Sequence, residues 1–392
     1  MAKTVGGVDD YQIEGGEVMT RVPINGETLR WARELSQVDY DGLAKAAGIK
    51  AERIEEFESG VGMPTFRQLS LIASKLDRSL GFFFAPPPAT PDVPMAADFR
   101  SRGDGDLSVA LVREMKRAEQ RRDALLDLNG SPENSPRLGA ITWENITEQA
   151  KRLRRHLGLT EEFTPQESQP NQVFSSWRGA LESHGFLIFQ TTGIALETFR
   201  GLSLYHDTLP VILLNGADSA NGKIFTLFHE VAHLANRTSG LCVLSENSDE
   251  EVIANRFAAN FLMPTEDFLR ALEDVDVERT IDHLAGKFKV SRLAVGIRLR
   301  TLGRISADEL AAVRQMSDEN WAKVRNKQKD SSGHPPHWRL RYRDLGPTYV
   351  GAVVEALDEG RVDMVDATHL LNAKVPTVER LVDEYYRAGG AA

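Results

Sequence analysis

The sequence has very little cysteine. Cys242 is the only cysteine among 392 residues, so the chain can form no internal disulfide bond. A zinc site built on two or more thiolates within one chain is excluded for the same reason. Any metal ion must therefore rest mainly on histidine and carboxylate ligands.

Long apolar runs and an excess of basic charge are also missing. The longest apolar runs, such as LGFFFA and VILLNGA, are far too short to cross a membrane, and the N-terminus has no apolar segment typical of a signal peptide. The formal net charge of −10 argues against a protein that coats nucleic acid nonspecifically, although a small DNA-reading module remains compatible with it. These absences predict a soluble, cytoplasmic protein without a membrane partner.

The length of the chain predicts several domains, because one hydrophobic core rarely serves so many residues. The stretch APPPATPDVPMAA is rich in proline and typical of a linker. We expect a flexible N-terminus, a helical domain, this linker, a larger domain of helices and short strands, and a helical C-terminal module. Their predicted boundaries are 1–23, 24–84, 85–105, 106–310 and 311–392.

The predicted fold class is mainly α with a small β-sheet (α+β). Residues 106–128 and 145–159 have amphipathic helical patterns, whereas FLIFQ and LPVILLN are short apolar runs of strand length. Between these two runs, FRGLSLYHDT alternates in the manner of an edge strand.

Residues 24–84 divide into short helices separated by turn signals. Asp39 or Asp41 can cap the second helix, and Gly48 marks a turn before the third. A short helix, a glycine turn and a second helix form the helix-turn-helix arrangement that presents one helix to the major groove. The same pattern also fits a generic four-helix bundle.

The order of these helices and the segment ESGVGMPT resemble the Xre/lambda-repressor type of helix-turn-helix. The resemblance implies a lambda-repressor-like bundle that binds a DNA operator. The predicted recognition helix, KAERIEEFES, offers Lys50 and Arg53 to DNA, but it also carries Glu52, Glu55, Glu56 and Glu58. Because acids beside phosphates are unfavourable, we expect modest affinity that needs a homodimer, or a protein partner instead of DNA.

The stretch FTLFHEVAHLAN, residues 225–236, contains His229, Glu230 and His233 in the pattern H-E-x-x-H. Residues four apart lie on one face of a helix, so the two imidazoles can reach one ion. Glu230 is rotated by about 100° from His229 and can act as a general base on water without being a ligand. The alternative is a pair of hydrogen-bonded core histidines. The helix is otherwise largely apolar, and burying an unpaired charge costs free energy. The presence of three ionisable groups on this helix therefore indicates a function.

A zinc site needs a third protein ligand, and the next helix offers candidates in SENSDEEVIANRFAANFLMP. Glu251 shares one helical stripe with Asn255 and is the best candidate on geometry. It has a competing role, since Ser248-x-x-Glu251 is a capping box that ties down the start of the helix. Glu250 is a third alternative, and spacing alone leaves the choice open.

The segments LPVILLN, FTLFHEVAHL and EEVIANRFAANFLMP together resemble the ImmA/IrrE family of metallopeptidases. That family carries H-E-x-x-H followed by a helix with the pattern E-x-x-x-N-x-F-A-A-x-x-L-M-P. The resemblance covers roughly residues 140–310. It implies a zincin-like domain in which His229, His233 and Glu251 bind Zn²⁺ and Glu230 is catalytic. It also implies a substrate beside an edge strand.

Two functions follow. The first is an Xre-family regulator fused to a zinc-dependent endopeptidase that cleaves an Xre-type repressor or a partner protein in a stress, prophage or mobile-element response. The second is an antitoxin that binds its cognate toxin and autoregulates the operon, with proteolysis minor or absent. The acidic balance suits the masking of a basic, RNA-cutting toxin. The presence of Glu230 favours the enzyme, because a docking protein needs no general base.

Overall fold

The structure is a computed structural model that describes residues 21–36, 38–76, 78, 80–87, 109–132, 136, 138–160, 163–237, 241–242, 249–273, 280–317 and 335–389. This part of the chain is mainly helical with a small β-sheet, so the predicted α+β class is confirmed. The predicted flexible N-terminus lies outside the described residues up to residue 20, and the predicted linker lies outside them from residue 88 onward.

The described residues form two compact units. The first contains the described residues up to 87 together with residues 109–113, and the second contains those from Glu114 onward. The first unit is built from α1 (Gly26–Leu35), α2 (Tyr40–Ala47), α3 (Ala51–Glu58), α4 (Phe66–Leu76) and a 3-10 helix (Leu80–Phe84).

Local signals set the helix ends of the first unit. Of the two predicted caps, Asp39 begins α2, and its side chain accepts a hydrogen bond from the Gly42 amide at 2.7 Å. Gly48 ends α2 with φ = 69°, a left-handed conformation that glycine adopts at little steric cost. Helix α3 follows directly, so the unit has the helix, turn and helix that a helix-turn-helix bundle requires. The apolar faces meet in one core that includes Leu29, Leu43, Ile54, Phe57, Leu69, Ile72 and Phe83.

The second unit combines the remaining helices with four strands. The helices are α5 (Val109–Asn129, whose first residues belong to the first unit), α6 (Ile146–His156), α7 (Pro170–Glu182), α8 (Ala220–Ala235), α9 (Asp249–Leu262), α10 (Thr265–Glu273), α11 (Thr280–Phe288), α12 (Arg292–Thr301), α13 (residues 307–317), α14 (His337–Leu345), α15 (Pro347–Asp358), α16 (Met364–Leu370) and α17 (Val375–Arg387). The strands are β1 (Leu187–Thr191), β2 (Gly201–Leu204), β3 (Val211–Asn215) and β4 (Leu241–Cys242).

The strands form one sheet in the order β1-β3-β2-β4. β1 runs parallel to β3, and β2 runs antiparallel to it. The prediction that β2 is an edge strand is wrong, because Gly201 and Leu202 also pair with β4. All four residues of β2 are buried, so its predicted alternation is absent as well. β2 thus has a paired strand on each side, and α8 packs against it.

Helix α8 lies between the sheet and α9, and this position decides what its side chains meet. It packs against β2 and β3 and also against α9. The rings of Phe228 on α8 and Phe261 on α9 stack with centroids 4.0 Å apart, and Trp177 of α7 meets Phe228 edge-on. This aromatic contact holds α8 and α9 side by side.

The last four helices of the described chain belong to the same unit as the sheet. α14 packs against β1, which is the outer strand on that side. Its residue Arg343 offers a backbone carbonyl to Arg178 Nη1 at 2.8 Å and to Gln190 Nε2 at 3.2 Å. Among the described residues, no helix is both long and apolar enough to cross a membrane.

Candidate metal centre

The side chains of the H-E-x-x-H motif lie in the C-terminal half of α8. Ser219 begins this helix, because its hydroxyl accepts a hydrogen bond from the Gly222 amide at 3.0 Å. His229, Glu230 and His233 are 2%, 0% and 3% exposed. The surrounding residues of α8 are apolar and equally buried, since the sheet and α9 enclose the helix.

The structure brings the two histidines together with Glu251 of α9. The Nε2 atoms of His229 and His233 are 3.1 Å apart. Glu251 places Oε2 3.1 Å from His229 Nε2 and Oε1 3.4 Å from His233 Nε2. Within the described part of the chain, these three residues form the one group of three or more His, Cys, Asp or Glu side chains whose ligand atoms lie within 4.8 Å of one another.

These spacings fit a tetrahedral metal site. Zinc bonds of about 2.0–2.1 Å at tetrahedral angles put neighbouring ligand atoms about 3.3 Å apart. The Nε2–Nε2 separation of 3.1 Å lies near that value, and each histidine Nε2 lies 3.1–3.4 Å from one of the two Glu251 carboxylate oxygens. Two imidazoles and one carboxylate are also a donor set that zinc accepts in sites with one position open to a reactant.

A hydrogen bond to Asn255 orients His229. Asn255 Oδ1 lies 3.1 Å from His229 Nδ1, where it can accept from Nδ1–H and so favours the tautomer whose Nε2 can bind a metal ion. Asn255 shares the predicted helical stripe of Glu251, but no role was predicted for it. The signal was the spacing of four residues, which puts both polar side chains on the face of α9 that meets α8.

Glu230 differs from the other members of the motif because no hydrogen bond of ordinary geometry reaches it. Its carboxylate is enclosed, and neither oxygen has a hydrogen-bond partner. The neighbouring hydroxyl of Ser203 on β2 also lacks a partner of ordinary geometry. Gly201 of β2 lies so close that a Cβ there would come within 3.0 Å of Glu230 Oε1. Glycine therefore allows the strand to approach the carboxylate.

The two acids of the site, Glu230 and Glu251, have pKa values shifted in opposite directions. Burial raises the pKa of the Glu230 carboxyl, although the two nearby histidines oppose the change. Burial acts in the same direction on Glu251, but the hydrogen bonds from His229 and His233 outweigh it and lower the pKa of that carboxyl to about 2. The carboxyl of Glu251 therefore stays ionised at neutral pH, whereas that of Glu230 takes up a proton more readily than an ordinary glutamate does.

The structure also bears on the alternatives to Glu251. Glu250 is exposed, whereas Glu251 is 8% exposed and lies against the histidines. Ser248, the partner in the predicted capping box, lies outside the described residues. Glu251 is therefore the acid of the three alternatives that contacts both histidines, and its role as a metal ligand stays a prediction.

The two predicted DNA contacts lie at the start of α3. Lys50 occupies the N-cap position and is exposed. Arg53 forms an ion pair with Glu56 one turn later, and its guanidinium lies 5.3 Å from the centre of the Phe57 ring. Lys50 is thus accessible to a phosphate, whereas Arg53 must first break its ion pair with Glu56. DNA contact by either residue stays a prediction.

Glu58 is one of the four acids of the predicted recognition helix, but its side chain points into the first unit. It is 4% exposed, and it accepts two hydrogen bonds from Arg33, at 2.5 Å to Nε and 3.0 Å to Nη2. The Tyr40 hydroxyl donates a third at 3.1 Å. This acid therefore does not lie beside a phosphate, which reduces the repulsion expected for α3.

Comparison with curated protein sequences finds no match. Among solved structures, the chain is similar to PlcR from Bacillus thuringiensis in complex with the peptide PapR7 and DNA, at 12% identity over 94% of this chain and 95% of that one, with a TM-score of 0.15. It is also similar to the apo form of the competence regulator ComR from Streptococcus vestibularis, at 13% identity over 93% and 97%, again with a TM-score of 0.15. TM-scores of this size do not establish a shared fold.

The comparison with protein families gives a clear match for part of the chain. Residues 182–300 match the model of Peptidase_M78, described as the IrrE N-terminal-like domain. This span contains the sheet, α8 and α9, and with them His229, Glu230, His233 and Glu251. Residues 182–300 are therefore a metallopeptidase-like domain at the level of this family.

Proposed function

We propose that the protein is a zinc-dependent endopeptidase joined to a helix-turn-helix regulator unit. The observation that carries the proposal is the convergence of His229 Nε2, His233 Nε2 and a Glu251 carboxylate beside Glu230. Core histidines that were merely hydrogen-bonded would need neither a second buried carboxylate next to them nor Asn255 to select the tautomer of His229.

His229, His233 and Glu251 would hold the ion, and Glu230 would handle the protons of peptide hydrolysis. A zinc ion in this position supplies a Lewis acid that polarises a carbonyl and makes water more acidic. Glu230 accepts the proton of the attacking water and delivers it to the leaving amine. Its raised pKa suits that task, because a carboxylate of ordinary acidity is a weaker base near neutral pH. Enclosure by β2 and α8 strengthens these interactions by excluding bulk water.

The first unit would direct the peptidase to its place of action. Its short helices suit an Xre-type module, and Lys50 offers an exposed cation at the start of the helix proposed to enter the major groove. A homodimer would double these contacts and so offset the acids on α3. The proposed protein substrate is an Xre-type repressor or a partner of the chain, in keeping with a stress, prophage or mobile-element response.

One observation favours the antitoxin as a second candidate. The four side chains of the centre are 0–8% exposed, so a peptide has to displace part of the structure to reach them. A protein that only docks its toxin needs no such access. The two candidates differ in one property, since the enzyme loses its function with Glu230 and the docking protein does not.

Metal content of the purified full chain tests the proposal first. We expect about one zinc ion per chain, lost in His229→Ala and Glu251→Ala and retained in Glu230→Gln. Glu230→Gln should then fail to cleave a repressor that the wild type cleaves. A wild-type chain that takes up no metal even when zinc is supplied would refute the enzyme. Zinc in the wild type together with full biological activity of Glu230→Gln would favour the docking protein.

A further inference from the structure

A groove on the second unit lies among the C-terminal helices, and its residues are distinct from those of the metal centre. It has a volume of about 560 Å³, which falls within the range of sites for small organic molecules, roughly 300–1,000 Å³. Its walls come from the end of α5, the end of α7, and from α14, α15 and α17. All of these elements from Glu114 onward belong to one compact unit.

The groove carries acidic side chains and no basic ones. Glu182 and Glu355 line it, whereas no lysine, arginine or histidine occurs among its described lining residues. Glu182 is already paired with Arg178 at 2.7 Å. Glu355 accepts a hydrogen bond from the Tyr385 hydroxyl at 2.7 Å, and no ion pair reaches it from any described residue. The charge of Glu355 is therefore available to a ligand.

Helix ends add to this negative potential. α7 ends at the groove with Glu182, and α17 ends just before Ala388. α5 also ends there, but Arg361 Nη1 donates to the carbonyl of Leu128 at 2.7 Å and so offsets the charge of that end. Each helix C-terminus is equivalent to roughly half a negative charge, concentrated on its last carbonyl groups. α15 begins at the groove with Pro347, and its positive end offsets one of the other two. The sum of the helix ends and Glu355 is negative.

Two tyrosine rings complete the groove. Tyr385 lies against α15 because residue 351 is glycine, where a Cβ would come within 2.6 Å of the ring. Tyr342 lines the groove as well, and its hydroxyl has no hydrogen-bond partner. Aromatic faces beside a carboxylate are a setting that attracts organic cations, through the ring quadrupole as well as the charge.

We propose that this groove binds an organic primary ammonium group, with the ammonium at Glu355 and the attached apolar chain against Tyr342 and Tyr385. Such a group occurs in polyamines and at the free N-terminus of a peptide. The proposal is independent of the metal centre, because it uses none of that centre's residues.

Isothermal titration of the full chain tests the site with two probes, spermidine and the dipeptide amide Ala-Phe-NH₂. We expect at least one to bind with Kd of about 1 mM or tighter. Binding of spermidine alone identifies a polyamine site, and binding of the dipeptide alone identifies a peptide N-terminus. The N-acetylated dipeptide amide, which lacks the ammonium, should not bind.

Two variants locate the binding. Glu355→Gln keeps an acceptor for Tyr385 and so preserves the fold, but it should weaken binding about tenfold or more by removing the charge. Ala388→Lys places a tethered ammonium at the mouth of the groove and should also block the probes. The matched control is Glu379→Gln, an exposed acid of α17 outside the groove. Absence of binding by both probes at about 1 mM, or equal binding by wild type and Glu355→Gln, overturns the proposal.

Discussion

Asn255→Leu is the substitution that most directly tests how the protein prepares its candidate ligands. Leucine fills nearly the same space as asparagine but offers no acceptor to His229 Nδ1, which now lies 3.1 Å from the amide oxygen. Without that acceptor, the imidazole can rotate or place its proton on Nε2. Both changes remove the lone pair that would meet a metal ion.

The expected loss of metal affinity follows from the type of contact. Partners that orient a metal-bound histidine are typically worth about 10–100-fold in affinity, or roughly 1.4–2.7 kcal/mol. Asn255 is only half-buried, so a water molecule can replace part of its hydrogen bond. We therefore expect a loss near the lower limit, about tenfold. Asn255→Asp retains an acceptor and should bind metal at least as tightly as the wild type.

Competition with a zinc-chelating dye measures this affinity directly, without the need for a substrate. The matched control is Asn171→Leu, the same substitution at an exposed position of α7. If folded Asn255→Leu chain bound zinc within about threefold of the wild type, the amide would not be orienting His229. Equal weakening by the Asn171 control would point to a general effect on stability instead.

Three further changes test the packing around the two units. Gly201→Ala should lower the free energy of unfolding by about 1–3 kcal/mol, because its Cβ would clash with Thr226 Cγ2 and crowd Glu230 Oε1, and denaturant titration measures this. Glu58→Gln should destabilise the first unit by about 3 kcal/mol, since it leaves the guanidinium of Arg33 with only the exposed and more distant Glu34 as a counter-charge, as thermal unfolding will record. Burial lowers the pKa of Lys223 from 10.5 to about 8, so between those pH values the unfolded chain binds more protons and the stability contributed by this residue rises with pH. Lys223→Met should remove that rise from the pH profile of unfolding.

The first two of these changes have a control of the same chemistry. Gly286→Ala adds a Cβ that meets nothing within 4 Å, so it should not destabilise the chain. Glu56→Gln breaks an exposed ion pair and should cost less than about 1 kcal/mol. Equal effects of Glu56→Gln and Glu58→Gln would contradict the role assigned to burial. A pH profile that is the same in the wild type and Lys223→Met would contradict the assignment to Lys223.

The parts of the fold that local sequence determines were predictable. Gly48 and one of the two candidate caps, Asp39, mark the ends of α2, and the spacing of His229 and His233 places two imidazoles on one helical face. The role of Glu251 was harder to predict, because its spacing fits a capping box equally well. Only the packing of α9 on α8 turns its carboxylate toward the histidines.

Contacts between distant segments could not be read from the sequence. Pairing of β2 with β4 joins residues about forty positions apart, and no periodicity in either segment encodes it. Glu58 has the same spacing as the exposed acids of α3, but its partner Arg33 comes from α1, 25 positions away. The sequence pattern assigned it to the surface because a buried acid depends on a partner that the local pattern does not contain.

The distribution of partners among the buried acids is the strongest argument that the centre serves an external molecule. Within the described chain seven acids are buried, and five form ion pairs with an arginine: Glu58, Glu182, Asp218, Asp267 and Asp344. Glu251 has the two histidines instead. Glu230 alone forms no ion pair, although it is the most enclosed of the seven, and the Ser203 hydroxyl beside it makes no hydrogen bond of ordinary geometry. A carboxylate buried at that cost without an ion-pair partner in the protein is explained if its partner arrives from outside, as water and a peptide do in hydrolysis.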